Sequence, residues 1–387
     1  MKKIVFILTS LIVLLCSCSK NEVEVEVKEK TDNDSIVVVY SDDRTSNGMT
    51  FYEIDFDNFY LDNVKYTFTY PLQGDAHLVV SGYNKDGDCS NLKIVSAVEM
   101  DGTIFKVLKI AENAFQGCSN MTSLKLPKGL ITIGNYAFKG CDRLTSINIP
   151  ESVTEIDYDA FSGCDNLDTL ELHADRTWLY SINYLNSIKN VIFGDGVHKI
   201  QSNAFKDWTS LTSISLSNSV EEIGSYAFGG CRSLSSIEIP NSVTSIGFCA
   251  FRNTPALNTI RVDEKNPKYD SRDNCNAIIE TESNILMKGC KNTVIPNGVT
   301  KIWQFAFDGC TNMSYIKVPS TVTLIHMFAF TNCDDLKTVY CDALTPPSAY
   351  YAFDLPQEMT LYVPSAAIDK YKAHEDWKQF KNIQPID

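Results

Sequence analysis

Cysteine is the residue type of this 387-residue chain that could do the most chemistry, since 13 cysteines are present. Thiols of this number could ligate a metal, form disulfides or fill small buried slots. Six of them lie three residues after a recurring phenylalanine: Cys118, Cys141, Cys164, Cys231, Cys310 and Cys333. No C-x-x-C spacing occurs, which argues against a zinc ribbon and leaves no predicted metal site.

Cysteines one coil apart, such as Cys118 and Cys141, would lie one above another, about 4.8 Å apart, in neighbouring turns of a repeating structure. Their Cβ vectors would then run parallel, which opposes disulfide formation. We therefore predict buried free thiols, with disulfides or a metal as the alternatives. Cys89, Cys275, Cys290 and Cys341 fall outside the spacing, and a bridge from Cys275 to Cys290 is an open alternative.

Histidine offers no recognisable catalytic arrangement. The five histidines are scattered, without an H-E-x-x-H motif, and the chain has neither a G-x-S-x-G motif nor a phosphate-binding loop. Their positions are His77, His173, His198, His326 and His374. An active site needs a unique cluster of unlike groups, so we predict a protein that is not an enzyme and needs no cofactor.

The charge balance limits the possible partners. The chain has 34 Lys and Arg against 48 Asp and Glu, a formal net charge of -14. An acidic surface repels the phosphates of nucleic acids, so nucleic-acid binding is not expected.

The N-terminus has the pattern of a secretory signal. Lys2 and Lys3 precede an apolar run to Leu15, which is too short to span a membrane as a stable helix. The following Leu15-Cys16-Ser17-Cys18 resembles a bacterial lipobox, which implies a signal peptide over 1–17 and a diacylated Cys18. A plain signal peptide with two incidental cysteines is the alternative.

Two segments precede the repeats. Residues 18–34 are acidic and polar, which favours a solvated tether. The acidic start after the cysteine resembles signals that send lipoproteins to the outer face of Gram-negative cells, so we expect an outer-membrane, surface-exposed protein. Residues 35–103 alternate apolar and polar side chains between turn signals, which predicts an N-terminal cap of β-hairpins.

An Ala-Phe pair organises the rest of the chain. Six of the eight intervals between its phenylalanines are 23 residues, at Phe115, Phe138, Phe161, Phe205, Phe228, Phe251, Phe307, Phe330 and Phe353. A fixed period in the twenties is typical of a solenoid, in which each coil buries its apolar edge against its neighbours. We predict a β-rich solenoid over 104–358, with a hairpin inserted around Thr281 and Glu282.

The outward positions of the first strand in each coil form the candidate binding face. One column varies in charge and size, and Tyr and Arg are common in binding hot spots. The candidates are Lys125, Asn148, Glu171, Glu238, Arg261, Tyr315, Lys317 and Tyr340. Ordinary solvated strand residues are the alternative for all eight.

Residues 359–387 predict a C-terminal cap. After a strand at Thr360–Val363, Ser365 could cap a helix from Ala366 to about Phe380. The apolar residues of this segment share one helical face and would cover the last coil.

The unit A-F-x-x-C-x-x-L-x-x-I-x-I-P-x-x-V-x-x-I-G resembles the BspA-like class of bacterial leucine-rich repeats. The ending Tyr362-Val363-Pro364 through Trp377-Lys378 is similar to that family's usual ending. The resemblance implies a curved right-handed solenoid on secreted or surface proteins that bind host extracellular proteins or other cells.

These observations predict a monomeric, non-catalytic surface lipoprotein that adheres to host matrix proteins or other cells through the strand face. The first alternative is a glycan-binding accessory of a nutrient-uptake system, for which exposed rings would be needed. The rings in question are Tyr52, Tyr60, Trp178, Tyr180 and Tyr184. The second alternative is a purely structural spacer.

Overall fold

The computed structural model describes residues 25–29, 35–39, 51–55, 58–61, 63–72, 74–100, 103–173, 185, 187–354 and 356–386. Their contacts divide the chain into two compact units, residues 1–187 (unit 1) and residues 188–387 (unit 2). The predicted signal peptide, the lipidation candidate Cys18 and most of the predicted tether lie outside the described residues.

Unit 1 is built of short strands. They are β1 (Val25–Glu29), β2 (Ser35–Val39), β3 (Phe51–Asp55), β4 (Asn58–Leu61), β5 (Val64–Thr69), β6 (His77–Tyr83), β7 (Ala97–Met100), β8 (Thr103–Ile110), β9 (Ser123–Lys125), β10 (Thr132–Ile133), β11 (Ser146–Ile149), β12 (Glu155–Ile156) and β13 (Thr169–Leu172). The strands β3 to β6 form an antiparallel meander, and β6 pairs in parallel with β8. The predicted N-terminal hairpins are therefore present.

One stretch of the predicted tether differs from the prediction. The strand β1 pairs antiparallel with β2, with Val27 opposite Val37, and β2 runs parallel to β7. Residues 25–29 thus have a hairpin partner, where the sequence predicted a solvated tether. Period-two alternation is the pattern that a paired strand requires.

The solenoid of unit 1 consists of two parallel ladders. The first joins β9, β11 and β13, with Leu124, Ile147 and Leu170 in register, and the second joins β8, β10 and β12. All three of these apolar residues are buried. Each coil thus presents its alternate apolar residues to the core and its polar ones to solvent.

In the described residues of unit 2 there are sixteen strands and one short α-helix. The strands are β14 (Asn190–Phe193), β15 (Lys199–Ile200), β16 (Ser213–Ser215), β17 (Glu222–Ile223), β18 (Ser236–Ile239), β19 (Ser245–Ile246), β20 (Thr259–Val262), β21 (Tyr269–Asp270), β22 (Ala277–Glu280), β23 (Ile285–Gly289), β24 (Lys301–Ile302), β25 (Tyr315–Val318), β26 (Leu324–Ile325), β27 (Thr338–Cys341), β28 (Thr360–Pro364) and β29 (Asn382–Ile386), and the helix is α1 (Ile368–Ala373).

The ladders of unit 2 are parallel and in register. The first-strand pairs are β14 with β16, β18 with β20, and the run β25, β27, β28 and β29. The predicted hairpin around Thr281 and Glu282 is present as β22 and β23, which joins the second ladder through β24 and β26.

The recurring phenylalanines form stacks of buried rings. In unit 1 the centroids of Phe138 and Phe161 lie 5.1 Å apart at 4° between planes. In unit 2 the rings of Phe330 and Phe353 lie 4.8 Å apart at 1°. This spacing matches the separation of paired strands, because each coil places its ring on the ring before it. The β-solenoid predicted from the 23-residue period is confirmed.

The C-terminal cap departs from the predicted helix. α1 covers only Ile368–Ala373, and Ser365 is not its cap, because Ser365 begins a short 3-10 turn and Ala367 precedes the helix. Beyond the helix the chain turns so that the Nε1–H of buried Trp377 donates to the Pro347 carbonyl oxygen at 2.7 Å. The chain then adds β29, a strand that the sequence did not reveal. Tertiary packing outweighs the helical pattern because short helices have little stability of their own.

Candidate functional site: the exposed strand face and its edges

In unit 1 three predicted face residues form one column. Lys125, Asn148 and Glu171 occupy the same register position of β9, β11 and β13. The Nε2 atom of His173 lies 3.1 Å from Asn148 Nδ2 and 2.9 Å from Glu171 Oε1. The polar atoms of Asn148 and Glu171 are therefore engaged within the face, which is a structural arrangement as much as a binding one.

In unit 2 the candidates fall into two groups. Glu238 and Arg261 lie opposite each other on β18 and β20, and both are exposed. Tyr315, Lys317 and Tyr340 come together on β25 and β27. The outward position of these side chains follows from the period of two residues in a strand, since each has at least one buried neighbour along its strand.

The tyrosines form a ring cluster at the C-terminal end of the face. The centroids of Tyr315 and Tyr340 lie 6.4 Å apart with the rings nearly perpendicular, and those of Tyr340 and Tyr362 lie 5.0 Å apart in a stack. Tyr315 is 62% exposed. Beside them Lys317 Nζ lies 3.1 Å from Asp342 Oδ2. We call Tyr315, Lys317, Tyr340 and Tyr362 the tyrosine cluster.

Tyr362 was not among the predicted face residues. It belongs to β28, which pairs with β27 so that Tyr362 lies opposite Tyr340. The signal was its distance of 22 residues from Tyr340, one short of the repeat period, in a segment assigned to the cap. Tyrosines on adjacent strands at one register position pack directly against each other.

A second exposed row in unit 2 also escaped the sequence analysis. It lies in the turn before the Ala-Phe pair, and we call it the aromatic edge: Tyr226, Phe248, Phe305, Phe328 and Tyr351. Successive centroids lie 5.9 Å apart from Tyr226 to Phe248, 6.1 Å from Phe248 to Phe305 and 5.6 Å from Phe305 to Phe328. Phe248, Phe328 and Tyr351 are exposed.

The backbone is strained at four of the five residues of the aromatic edge, all except Phe248. The residue two before each recurring phenylalanine has a positive φ in every described coil, including 55° at Tyr226, 60° at Phe305 and 62° at Phe328. Asn113 and Asn203 occupy the same position in other coils, and Asn is the non-glycine residue that tolerates this conformation best. A bulky ring there is unusual, and such strain is often retained where it serves function.

Arg252 fixes the middle of the aromatic edge. Its guanidinium lies 4.1 Å from the centroid of the Phe305 ring, and its Nε–H donates to Asp308 Oδ2 at 2.8 Å. Asp308 is buried, and its Oδ1 accepts a hydrogen bond from Asn332 at 2.7 Å. A buried carboxylate needs such partners, so this ion pair holds the cation against the ring.

The ladder cysteines are mostly the predicted buried thiols. Cys141, Cys164, Cys231, Cys310 and Cys333 are free, and four of the five donate to the carbonyl oxygen of the phenylalanine one coil earlier. For Cys231 and Phe205 that distance is 3.1 Å. Cys275 and Cys290 are also free, so the alternative bridge between them is wrong.

Cys118 is the exception to the predicted free thiols. It forms a disulfide with Cys89, with their Cα atoms 6.0 Å apart. Cys89 belongs to the N-terminal cap and not to the repeat, so its Cβ vector is not bound to the parallel arrangement that opposes bridges within the ladder.

Burial raises the pKa of three of the free thiols. It raises the pKa of Cys231 to about 12 and those of Cys275 and Cys310 to about 11. The thiolate is the form that attacks substrates and binds metals, so these cysteines are poor nucleophiles and poor ligands at neutral pH. Across the described ranges no group of three or more His, Cys, Asp or Glu side chains is placed to hold a metal ion.

Two further expectations concern the membrane and the aromatic side chains. No helix in the described part of the chain has the length and apolar character to cross a membrane. Of the rings considered for glycan binding, Tyr60 is half-buried on β4, and the side chains of Tyr52, Trp178, Tyr180 and Tyr184 lie outside what the structure describes.

The repeats match a family model described as the BspA type leucine rich repeat region. Six copies match, over residues 108–207, 179–278 and 282–366, which is more than half of the chain. The chain therefore belongs to the BspA-type leucine-rich repeat family, whose solenoid fold is typically non-catalytic.

Several solved structures are similar to this chain. A leucine rich cell surface protein from Faecalibacterium prausnitzii A2-165 is 24% identical over 83% of this chain and 93% of its own, with a TM-score of 0.48. A leucine-rich repeat protein from Bacteroides ovatus ATCC 8483 is 24% identical over 81% and 76%, with a TM-score of 0.46. The pneumococcal vaccine antigen PcpA is 16% identical over 84% and 98%, with a TM-score of 0.37. No curated protein matches the chain.

Proposed function

We propose that this chain is a non-catalytic cell-surface protein that binds another protein through the strand face of unit 2, at the tyrosine cluster. The partner is a host extracellular-matrix protein or a protein on another cell. The observation that carries the proposal is the contact of three tyrosine rings on adjacent strands, with Tyr315 62% exposed.

The chemistry of the tyrosine cluster supports a protein partner. Tyrosine offers a large rigid surface and a hydroxyl at a small entropic cost, and it is enriched in binding hot spots. Lys317 and Asp342 flank the rings with charges of both signs. An apolar centre with a polar rim is the usual anatomy of a protein interface.

The experiment is a binding comparison with a matched control. The chain without its first 18 residues is tested against immobilised matrix proteins and mucin, beside the variant Tyr340→Ala/Tyr362→Ala. Lys125→Ala, in the exposed column of unit 1, is the control. We expect saturable binding that weakens at least tenfold in the double variant and is unchanged in the control. Absence of binding by the wild type would contradict the proposal.

We also propose that the chain reaches the cell surface as a lipoprotein, anchored in the outer membrane through diacylated Cys18. Leu15-Cys16-Ser17-Cys18 carries this proposal. Labelling of cells with a radioactive fatty acid should mark the wild type and not Cys18→Ala. Protease treatment of intact cells should remove the labelled protein if it faces outward, and protection from the protease would contradict surface exposure.

A second candidate function is glycan binding at the aromatic edge. The apolar faces of sugar rings stack on flat aromatic rings, and this row extends over successive coils with contacts at 5.6 to 6.1 Å. The positive φ of Phe305 and Phe328, where asparagine would be less strained, favours a role for the rings themselves.

A glycan array separates the two functions. If the aromatic edge binds sugars, the wild type gives hits that Phe305→Asn/Phe328→Asn loses and Tyr340→Ala/Tyr362→Ala keeps. An array without hits contradicts the glycan function, and a chain that binds neither proteins nor glycans would be the structural spacer.

A further inference from the structure

The first ladder of unit 2 is interrupted after β20. β20 pairs with β18, and among the described residues no further strand pairs with its other edge. The inserted segment causes the interruption. Its loop 270–276 lies between β20 and the next coil, so no strand pairs there with β20. Asn276 accepts a hydrogen bond from the Ile260 N–H at 3.3 Å, and the Thr293 hydroxyl donates to the Asn276 carbonyl oxygen at 2.6 Å.

The backbone groups that face this open edge follow from the alternating direction of the N–H and C=O groups along a strand. The N–H groups of Thr259 and Asp263 donate to β18, to the carbonyl oxygens of Ser235 and Ile239. Successive residues of a strand point their N–H and C=O groups to alternate sides. The N–H and C=O of Val262, and the C=O of Ile260, therefore point away from β18.

A cleft of about 800 Å³ lies along this edge, between β20 and the loop 270–276. Its far wall is well braced. Arg272 donates from Nη2 to Asp270 Oδ2 at 2.6 Å and from Nη1 to Asn284 Oδ1 at 2.8 Å. The Ser271 hydroxyl donates to the Ala277 carbonyl oxygen at 2.6 Å. The volume falls in the range of ligand sites, and a braced wall keeps it open.

The charge of the cleft selects among possible occupants. Asp270 and Arg272 neutralise each other, which leaves three exposed carboxylates, Asp263, Glu264 and Asp273, against one guanidinium, Arg261. This lining favours a basic partner and disfavours a second copy of this acidic chain, whose net charge is -14.

We propose that the cleft binds an extended, basic peptide segment of a partner protein, which adds to β20 as a parallel or antiparallel strand. The proposal rests on the proposed protein-binding function and names a second contact for it. The backbone groups of Val262 would pair with the peptide, and Glu264 and Asp273 would meet its Lys or Arg side chains. Four strand residues pair with about 13 Å of peptide, at about 3.3 Å per residue.

The test uses eight-residue peptides with Lys or Arg at alternate positions and Val or Thr between them, with fluorescence anisotropy on the chain without its first 18 residues. We expect saturable binding that falls at least tenfold when alternate peptide nitrogens are methylated, because the ladder bonds are lost. A control peptide with Glu in place of the Lys or Arg residues should not bind. Failure of every basic peptide, or equal binding of the methylated one, overturns the proposal.

One double variant of the protein and one amide-exchange measurement complete the test. Glu264→Lys/Asp273→Lys changes only exposed side chains and should weaken binding at least tenfold, and unchanged binding would overturn the proposal. Amide exchange at Val262 should slow with peptide while exchange at Arg261, which faces β18, stays the same. Slowing at neither residue, or self-association of the chain through this edge, contradicts the proposal.

The variant Tyr340→Ala/Tyr362→Ala keeps the outcome separate from the proposed function. The two substituted residues lie on β27 and β28 and not on β20, so this variant should bind the peptides as the wild type does. If this variant still binds the peptides but no longer binds matrix proteins, the cleft beside β20 and the tyrosine cluster are separate binding sites. Loss of peptide binding in this variant contradicts an independent cleft.

Discussion

The rings of Phe228 and Phe251 lie 5.5 Å apart and within 5° of parallel, and both are fully buried in unit 2. Each of these residues lies in the turn of its own coil, so the contact joins one coil to the next. The energy of a solenoid lies largely in such nearest-neighbour interfaces. These interfaces hold in place the strands and turns that carry the tyrosine cluster, the aromatic edge and the open edge of β20.

Removal of one buried ring should therefore destabilise unit 2. Phe228 stacks on Phe205 at 5.3 Å as well as on Phe251, so Phe228→Ala loses contacts on both sides. We expect a loss of about 3–5 kcal/mol in the free energy of unfolding, measured by urea denaturation. The control is Phe248→Ala, whose side chain is 42% exposed and which should cost less than about 1 kcal/mol. Equal losses would contradict the stacked core.

The disulfide gives a prediction for unit 1. Cys89 and Cys118 are 29 residues apart, and closing a loop of that length stabilises a protein by about 3–4 kcal/mol in the chain-entropy model. Reduction should lower the stability of the wild type by about this amount and leave Cys89→Ala unaffected. Peptide mapping without reduction should recover the two cysteines in one linked peptide. Alkylation of both as free thiols would contradict the bridge.

The strained backbone of the aromatic edge predicts an unusual mutational response. Phe328→Asn removes an exposed ring but relieves a positive φ of 62°. We expect stability equal to the wild type or higher by up to about 1 kcal/mol, since Asn tolerates this conformation. Thermal unfolding measures the change. A loss of more than about 1 kcal/mol would mean that the ring serves the fold, and the glycan function would lose its support.

The ion pair between Asp270 and Arg272 in the wall of the cleft should stabilise the protein less in acid than at neutral pH. Burial acts to raise the pKa of Asp270, but the hydrogen bonds from Arg272 and Thr281 outweigh it and hold the pKa below the usual 3.8. A carboxylate with a lowered folded pKa stabilises the protein above the unfolded value, and this contribution is lost as the pH falls through the folded value. The stability difference between the wild type and Asp270→Asn should thus be full at pH 7 and shrink below about pH 4.

Urea unfolding at several pH values measures this dependence. Asp142→Asn, at an exposed position of unit 1, serves as the control and corrects for the general effect of acid. A difference that stays constant from pH 7 to pH 2.5 would contradict a charged pair between Asp270 and Arg272.

The sequence predicted the solenoid because its signal is repetitive. One period places Phe115, Phe138 and Phe161 in a stack, and period two sends Ile147 inward. Each coil repeats the same local physics, so many weak signals agree. The free thiols at Cys141 and Cys231 follow from the same regularity.

The features that were missed depend on breaks in that regularity. Cys89 contacts Cys118 only because of how the N-terminal cap folds. Tyr362 belongs to the tyrosine cluster although it lies 22 residues after Tyr340, one fewer than the repeat period. The helix stops early because Trp377 and Phe380 pack on Phe353 from a turn. The open edge of β20 is a property of the backbone, created by an insertion, and no side-chain pattern marks it.

Footprinting of the tyrosine cluster in a complex tests the central claim most directly. Hydroxyl radicals modify exposed rings, so the chain is labelled alone and with a matrix protein that retains it. We predict that Tyr315, Tyr340 and Tyr362 become protected while Tyr158, which is 64% exposed in unit 1, stays as reactive as before. Unchanged labelling of the three tyrosines in the complex would contradict binding through this face.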